Sequence, residues 1–240
     1  GATENVMMAA VLGKGRTVIL NAAREPEIID LQGFINRLGG SVHGAGTSTV
    51  IVDGVEKLGG GRYVPIADRI AAGTYLLAGA ATGGDVCVTN IYPESISAMT
   101  HKLTIAGCTV RSYDDRVRVI APERLHAFGK IETQPYPGFP TDLQPQFTAA
   151  MTIADGTGIV VENLFENRFK YTVQLNKLGA DITVKDRTAV IRGVRRLTGA
   201  PVKAEDLRGG AALLIAGLAA EGVTEVSGLH HIERGYEAPD

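Results

Sequence analysis

The sequence predicts a mixed α and β fold in which apolar helices lie inside and sheets cover them. The order helix, strand, helix and hairpin repeats along the chain, and the glycines that end the second helices, Gly39, Gly107 and Gly179, are 68 and 72 residues apart. The first helix of each copy is apolar on nearly every face, as residues 211–220 illustrate, and such a helix must be buried on most sides.

The predicted elements follow the chain in four copies. Helices are placed by runs of 10 to 15 residues that end in glycine, and strands by short β-branched runs. The first copy has a helix at 9–15, a strand at 17–20, a helix at 27–38 and hairpin strands around 50–52. The second and third copies have these elements at 75–84, 86–88, 94–106 and 117–120, and at 147–156, 159–161, 171–178 and 189–191. The fourth has 211–222 and 224–226, and the chain ends at Asp240 before its second helix.

Composition predicts a globular cytoplasmic protein with one or two domains. The chain has 240 residues, of which 45% are hydrophobic, and its longest apolar stretch, 209–220, is too short to cross a membrane. Cys87 and Cys108 lack metal-ligand spacing, so we expect both thiols to be reduced and packed. We therefore expect no disulfide, no metal, no cofactor and no membrane partner.

The charge pattern argues against a nucleic-acid partner. The formal charge is −2, no basic run exceeds a pair, and aromatic residues make up only 5% of the chain. A small polar ligand is the better prediction.

The segment 57–65 is the predicted domain boundary, because three consecutive glycines and Pro65 follow the first hairpin. We interpret residues 1–65 as the C-terminal part of an incomplete first domain, and residues 66–240 as a second domain truncated at its C-terminus. A flexible hairpin end is the alternative interpretation of the glycines.

Asp142 is the leading candidate catalytic residue. Prolines at 135, 137 and 140 exclude a helix or central strand up to Pro140, and Thr141 with Gln144 forms a capping-box pattern at a helix start. Asp142 would lie in the first helical turn, where the macrodipole favours an ionised carboxylate. That carboxylate is suited to act as a general base, and the alternative is an acid that only caps the helix.

Arginines supply the candidate anion-binding groups. Arg208 lies in a first helical turn, so it either points into solvent or shares a bound anion with free backbone N–H groups, which Gly209 and Gly210 would leave open to a ligand. Arg168 and Arg234 occupy loops that follow the short strands of successive copies. Loops at the same end of equivalent units point toward one cleft, so Arg208 and Arg234 are predicted to converge on one anionic substrate.

The chain resembles the bacterial UDP-N-acetylglucosamine enolpyruvyl transferases, within the EPSP synthase-like superfamily. The match extends over nearly all of the chain, and its motifs occur in the order of the family. They are residues 1–10, 21–27 (Asn-Ala-Ala-Arg-Glu-Pro-Glu), 68–74, 137–142 (Pro-Gly-Phe-Pro-Thr-Asp), 165–169 (Phe-Glu-Asn-Arg-Phe), 206–208 and 234–236.

The resemblance implies an inside-out α/β barrel of two similar domains with the active site in the cleft between them. It also implies the reaction, in which the 3-hydroxyl of UDP-N-acetylglucosamine adds to phosphoenolpyruvate and phosphate is then eliminated. This is the first committed step of peptidoglycan synthesis.

The resemblance further assigns roles to individual residues. Asp142 matches an aspartate that contacts the sugar and acts as base, Asp206 lies beside the reacting centre and takes part in proton transfer, and Leu164 contacts the nucleotide-sugar through its backbone. The remaining matches bind substrate: Arg208 and Arg234 to phosphoenolpyruvate, Arg168 in the arginine-bearing loop, and Gly1 at the end of a segment that touches uridine. The Lys-Asn pair and loop cysteine of the family lie upstream of the residues present here, and neither Cys87 nor Cys108 matches that cysteine.

We therefore expect the isolated chain to be inactive without the complementary half of its fold. One alternative is the sister transferase that acts on shikimate 3-phosphate. The other is a non-catalytic fragment that binds a nucleotide-sugar.

Overall fold

The computed structural model describes residues 1–237, which form two compact units. The first unit comprises Gly1–Ala67 with Pro135–Pro137, and the second comprises Asp68–Gln134 and the chain from Gly138 onward. The last three residues of the predicted fourth copy, 238–240, lie outside the described residues. The assignment of 1–65 and 66–240 to an incomplete first and a truncated second domain stays a prediction.

The first unit contains two helices and one antiparallel sheet. Its elements are α1 (Ala2–Ala10), β1 (Arg16–Leu20), α2 (Pro26–Arg37), β2 (Ser41–His43) and β3 (Thr49–Asp53). The strand order is β1-β3-β2, so the hairpin of β2 and β3 adds to the first strand through β3.

The second unit contains the remaining elements. Its helices are α3 (Arg69–Ala81), α4 (Ser97–Ile105), α5 (Gln144–Met151), α6 (Thr172–Lys177) and α7 (Leu207–Ala219), with 3-10 turns at Pro93–Ile96, Thr141–Leu143 and Leu229–His231. Its longer strands are β4 (Asp85–Thr89), β5 (Thr109–Ser112), β6 (Arg116–Ile120), β7 (Lys130–Glu132), β8 (Thr157–Val161), β9 (Asp181–Lys185) and β10 (Thr188–Arg192). The short strands are β11 (Leu197–Thr198), β12 (Pro201–Lys203), β13 (Ala220–Glu221) and β14 (Glu225–Ser227), which pair in parallel as β11-β13 and β12-β14.

The sheets confirm the predicted repeat. The order first strand, third strand, second strand recurs as β1-β3-β2, β4-β6-β5 and β8-β10-β9, with β7 added in parallel beside β8. The glycines that end the second helices, Gly39, Gly107 and Gly179, have φ angles of 92°, 91° and 90°. This left-handed conformation favours glycine, so the spacing seen in the sequence marks the same backbone turn three times.

A side-chain clamp recurs beside two of these glycines. The Asn36 side chain donates to the carbonyl of Val42 and accepts from its N–H, both at 2.8 Å. Asn176 does the same to Ile182 at 3.1 and 3.2 Å. Each asparagine lies three residues before its glycine, so it fixes the helix end to the strand that follows.

Helices α3, α5 and α7 pack against one another at the centre of the second unit, and every residue of α5 is buried. The prediction that apolar helices lie inside is therefore confirmed here. In the first unit α1 buries Met7 but exposes Val6 and Met8, so the expectation that each first helix is buried on most sides is wrong for α1. Within its unit α1 packs against β1, β3 and α2, and Val6 and Met8 lie on a face that stays exposed.

The two cysteines differ in burial. Cys108 is buried, and burial raises the pKa of its thiol to about 11. Cys87 is exposed on β4, so the prediction that both thiols are packed is wrong for Cys87. The alternating pattern of β4 turns this residue toward solvent. Within residues 1–237, no helix is both long and apolar enough to cross a membrane.

Replacing Phe147 should strongly destabilise the second unit. Its buried ring packs edge to face on Phe128 and Phe139, with centroids 5.5 and 5.0 Å away. We expect Phe147→Ala to lower the free energy of unfolding by about 3–5 kcal/mol, because it leaves a cavity between two rings. Urea unfolding measures this, and the exposed Val173→Ala should change the free energy by under about 0.5 kcal/mol. A loss below about 1 kcal/mol for Phe147→Ala would contradict the packing described.

The two thiols should react at different rates in the folded chain. At about pH 8 the Cys108 thiol stays protonated, because its pKa is raised to about 11, and burial blocks access to it. We expect dithiobis-nitrobenzoate to label one thiol rapidly in buffer and both in denaturant. Cys87→Ser should abolish the rapid phase, and equal rates for both thiols in buffer would contradict the prediction.

Candidate active site around Asp142

Asp142 lies in the 3-10 turn that leads into α5. The proline-rich segment before it is closed by a bridge between Thr133 and Phe139, and the Gln134 N–H donates to the Phe139 carbonyl at 3.0 Å. This confirms an irregular segment up to Pro140. The capping box predicted for Thr141 and Gln144 is wrong, because no side chain caps this turn. The Thr141 hydroxyl instead donates to Glu162 Oε2 at 2.9 Å, since that buried carboxylate needs donors.

Two arginines hold the Asp142 carboxylate. Arg168 Nη2 lies 2.8 Å from Oδ1, and Arg208 Nη2 lies 3.4 Å from Oδ2. The two arginine side chains are only 16% and 14% exposed, whereas that of Asp142 is 43% exposed. The carboxylate is thus open to solvent on one side and held by a cation at each oxygen. Asp142 is not the helix-capping acid of the alternative interpretation.

Asp206 does cap its helix. Its Oδ1 accepts from the N–H groups of Arg208 and Gly209 at 3.0 and 2.8 Å, just as Asp68 Oδ1 caps α3. Because Asp206 occupies these two donors, they are not free to share a bound anion with Arg208, and anion binding by the Arg208 side chain stays a prediction. The role of Asp206 in proton transfer stays a prediction.

Gly209 and Gly210 serve packing rather than ligand approach. A side chain on Gly210 would come within 2.5 Å of Ile232 Cγ1, and one on Gly209 within 2.9 Å of Asp206 Oδ2 and 3.0 Å of Tyr171 Cβ. The space that was predicted to be open to a ligand is therefore occupied by the protein.

Arg208 is anchored by Tyr236 and does not point into solvent, so that alternative is wrong. Its Nη1 donates to the Tyr236 hydroxyl at 3.2 Å, and its guanidinium carbon lies 5.8 Å from the centre of that ring. The same hydroxyl lies 2.9 Å from Thr74 Oγ1, and Gln146 Nε2 donates to both oxygens at 3.1 and 3.3 Å. Thr74 of α3 and Gln146 of α5 therefore hold the Tyr236 hydroxyl, and this hydroxyl holds Arg208 of α7.

Arg168 is anchored on the opposite side by the loop that follows β8. Its guanidinium carbon lies 5.1 Å from the centre of the Phe165 ring, and Nη2 also approaches the Thr141 carbonyl at 3.4 Å. The N–H groups of Leu164 and Phe165 donate to Glu162 Oε1 at 2.9 and 3.1 Å. Since the N–H of Leu164 is already used, its carbonyl is the backbone group that remains for the predicted substrate contact.

Glu162 is a site residue that the sequence reasoning missed. Its carboxylate is buried and accepts from two hydroxyls and two backbone amides. Residues 158 and 160 of β8 are buried, so the period of two places position 162 on the buried side as well. An acid at an inward-facing position after an apolar strand is the signal that could have found it.

Two predicted site residues make no described contact with the Asp142 carboxylate. Arg234 is exposed, and no hydrogen bond or ion pair joins it to Asp142 or Arg208 in the part of the chain that is described. The convergence of Arg208 and Arg234 on one anionic substrate stays a prediction, and the structure places Arg168 and Arg208 together on the Asp142 carboxylate. Gly1 lies at the start of α1 in the first unit, where its amine is 3.5 Å from Glu4 Oε2. The substrate-binding roles of Arg234 and Gly1 stay predictions.

Buried hydrogen bonds join Tyr171 to α5, the helix that follows Asp142. The single proton of the Tyr171 hydroxyl faces two acceptors, Gln144 Oε1 and Thr148 Oγ1, at 3.0 and 2.9 Å. Burial raises the pKa of Tyr171, so the phenol stays a neutral donor. Within residues 1–237, no three His, Cys, Asp or Glu side chains are grouped as metal ligands would be.

The arrangement combines one acceptor with two cations. An ionised carboxylate only accepts, so it suits removal of a proton from a bound hydroxyl. Two guanidinium groups beside one carboxylate leave an excess positive charge, which favours an anionic ligand.

Comparison with known proteins gives these residues a context. The family model for EPSP synthase (3-phosphoshikimate 1-carboxyvinyltransferase) matches residues 1–238. UDP-N-acetylglucosamine 1-carboxyvinyltransferase 2 of Caldanaerobacter subterraneus is 53% identical over 99% of this chain and 57% of its own length. The enzyme of that name from Symbiobacterium thermophilum is 54% identical over 98% of this chain and 55% of its own length. The chain thus spans about half the length of the curated relatives it matches.

Solved structures agree with the fold. The enolpyruvyl transferase NikO of Streptomyces tendae superimposes with a TM-score of 0.85 at 25% identity, over 98% of this chain and 56% of that chain. EPSP synthase of Acinetobacter baumannii, at 17% identity and a TM-score of 0.71 over 96% of this chain and 56% of that chain, shares the fold. These likenesses confirm the predicted inside-out α/β fold class. Because sequence and fold agree over nearly the whole chain, the protein belongs to the EPSP synthase (3-phosphoshikimate 1-carboxyvinyltransferase) family of enolpyruvyl transferases, as its sequence motifs predicted.

Proposed function

We propose that this chain carries the Asp142 half of the active site of a UDP-N-acetylglucosamine 1-carboxyvinyltransferase. The reaction transfers the enolpyruvyl group of phosphoenolpyruvate to the 3-hydroxyl of UDP-N-acetylglucosamine and releases phosphate, which begins peptidoglycan synthesis. The observation that carries the proposal is the Asp142 carboxylate between Arg168 and Arg208. The names of relatives about 50% identical to the chain support the choice of substrate.

In this proposal Asp142 takes the proton of the sugar 3-hydroxyl. That oxygen bonds to C2 of phosphoenolpyruvate while C3 gains a proton, and the resulting tetrahedral species then loses a proton from C3 and phosphate from C2. The open side of the Asp142 carboxylate leaves room for the hydroxyl. Asp206 caps the same helix turn that carries Arg208, which supports its predicted place beside the reacting centre.

Arg208 and Arg168 would bind the negative charges of the substrates. Both side chains are mostly buried, and a guanidinium shielded from water attracts an anion more strongly than an exposed one. The anchoring of Arg208 by Tyr236 reduces the rotamer freedom lost on binding. Arg234 is the further predicted ligand of phosphoenolpyruvate, and its exposed side chain is free to turn toward a bound anion.

The remaining half of the fold is the proposed partner. Because the chain spans about half of its relatives, we infer that residues outside it complete the cleft and that the chain alone does not turn over substrate. We also propose a cytoplasmic location, since the two cysteines are unpaired and a reducing compartment keeps thiols in that state.

A hybrid enzyme tests the proposed reaction. In it this chain replaces the matched segment of the Caldanaerobacter relative, to which it is 53% identical. We expect phosphate release that requires both phosphoenolpyruvate and UDP-N-acetylglucosamine, and none from the 240-residue chain alone. Release with shikimate 3-phosphate would favour the sister transferase, which the description of the family model names. Ligand binding without release in a folded hybrid would favour the non-catalytic alternative.

Asp142→Asn in the hybrid enzyme tests the base. The amide cannot take a proton, so we expect kcat to fall about 10²- to 10⁴-fold. The matched control is Asp114→Asn, which changes an exposed acid outside the site and should leave kcat unchanged. A loss under about tenfold would remove Asp142 from this role.

Tyr236→Phe tests the anchoring of Arg208. The variant removes the hydroxyl that accepts from Arg208 Nη1, so the guanidinium loses one fixed contact. We expect KM for phosphoenolpyruvate to rise about 5- to 30-fold with a smaller change in kcat, as measured by steady-state kinetics. Tyr75→Phe is the control, because Tyr75 is exposed on α3. An unchanged KM for Tyr236→Phe would show that Arg208 does not depend on this hydroxyl.

A further inference from the structure

We propose that Glu162 is a positioning residue that sets the geometry of both Asp142 and Arg168. The inference rests on the proposed function for its kinetic consequences, but the structural arrangement can be tested separately. Among the described residues, no hydrogen bond or ion pair joins Glu162 to either side chain, and it acts through the residues beside them.

The carboxylate of Glu162 is saturated with donors. Only 1% of the residue is exposed. Oε1 accepts from Thr133 Oγ1 at 2.8 Å and from the N–H groups of Leu164 and Phe165 at 2.9 and 3.1 Å, while Oε2 accepts from Thr141 Oγ1 at 2.9 Å. An ionised carboxylate accepts only, and a buried one is costly unless it is hydrogen-bonded, so these four contacts depend on one another.

The Oε2 contact reaches Asp142 directly along the chain. Thr141 is the residue before Asp142 and begins the 3-10 turn. No side chain caps that turn, so the Thr141 hydroxyl is the side-chain tie described at its start. Fixing Thr141 to a buried group therefore fixes the backbone from which the Asp142 side chain extends.

The Oε1 contacts reach Arg168 from the other side. They fold the chain at Leu164 and Phe165 into a turn, and the Phe165 ring lies 5.1 Å from the Arg168 guanidinium carbon. Arg168 then donates to Asp142 Oδ1 at 2.8 Å. One carboxylate thus ties together the base and the cation that holds it, although they are 26 residues apart.

If Glu162 only capped its own turn, its contacts with the N–H groups of Leu164 and Phe165 would be sufficient. The hydroxyl of Thr141 comes from a separate segment, 21 residues away. This contact is what extends the role of Glu162 from its own loop to the catalytic turn.

Three substitutions separate positioning from charge. Glu162→Ala removes all four acceptor contacts. Glu162→Gln keeps one oxygen for Thr133 and the two amides, and its NH₂ group can face Thr141, whose hydroxyl then accepts. Positioning therefore predicts that Gln rescues what Ala loses, whereas a need for the negative charge predicts that both fail. Thr141→Val cuts only the link to the catalytic turn.

The first experiment measures kcat and KM of the hybrid enzyme, per folded molecule. We expect Glu162→Ala to lower kcat about 10²-fold with a smaller change in KM for UDP-N-acetylglucosamine, because displacement of a base costs rate more than binding. Glu162→Gln should stay within about fivefold of the parent enzyme, and Thr141→Val should lose about tenfold. The control is Glu166→Ala, an exposed acid in the same loop that should not change kcat.

The second experiment uses the 240-residue chain and needs no turnover. Nitrogen-15 NMR follows the amides of Leu164 and Phe165 and the guanidinium of Arg168. We expect protected amides and a slowly rotating guanidinium in the parent chain and in Glu162→Gln, and loss of both in Glu162→Ala. If Glu162→Ala does not fold, Thr141→Val tests the guanidinium alone, because it releases the turn of Asp142, to which Arg168 donates, and leaves the Leu164 and Phe165 amides on Glu162 Oε1.

The outcomes are distinguishable. If the hybrid enzyme turns over and Glu162→Ala keeps the parent kcat, or if Glu162→Gln is as impaired as Glu162→Ala, positioning is overturned and the proposed function stands. If the parent hybrid has no activity, the proposed function fails, and the NMR comparison decides on Glu162. If the rotation of the Arg168 guanidinium is unchanged in Glu162→Ala or in Thr141→Val, the NMR comparison overturns the inference.

Discussion

The burial of three helices against one another is the constraint on which the second unit depends. Helices α3, α5 and α7 form its centre, and α5 has no exposed residue. Polar side chains on such helices cannot turn to water, so most of their hydrogen bonds must be made inside the protein. Thr74, Gln146 and Tyr236 do so at one place, and Gln144, Thr148 and Tyr171 at another. The polar network that anchors Arg208 is thus a consequence of how completely the helices are buried.

The same constraint explains why the site lies at the N-terminal ends of these helices. There the first N–H groups need acceptors, and acids satisfy them at low cost. Asp68 and Asp206 meet this need for α3 and α7. The 3-10 turn before α5 has no side-chain cap, so the carboxylate of Asp142 is not used by the backbone and pairs with two arginines instead.

Much of the fold could be predicted from the sequence, because its signals are local. Glycine ends the second helix of each copy, and the φ angles near 90° at Gly39, Gly107 and Gly179 are what glycine permits. The contacts of the site were not predictable in this way. Arg208 and Asp142 are 66 residues apart, and Tyr236 and Thr74 are 162 apart, so their meeting depends on how the helices pack. The capping box at Thr141 failed for a related reason, because a tertiary contact to Glu162 took the hydroxyl that local pattern assigned to the backbone.

Departures from the repeat are therefore more informative than the repeat itself. Asp68 and Asp206 both cap helices, so an acid at this position has a structural explanation in two copies. In the third copy the acid remains but the capping contact is absent, and a buried glutamate orders the adjoining loop. The Asp142 carboxylate lies between two guanidinium groups and is partly open to solvent. It makes no capping bond, and long-range contacts determine its position. An acid at this position without that structural use is the reason to propose Asp142 as the catalytic base.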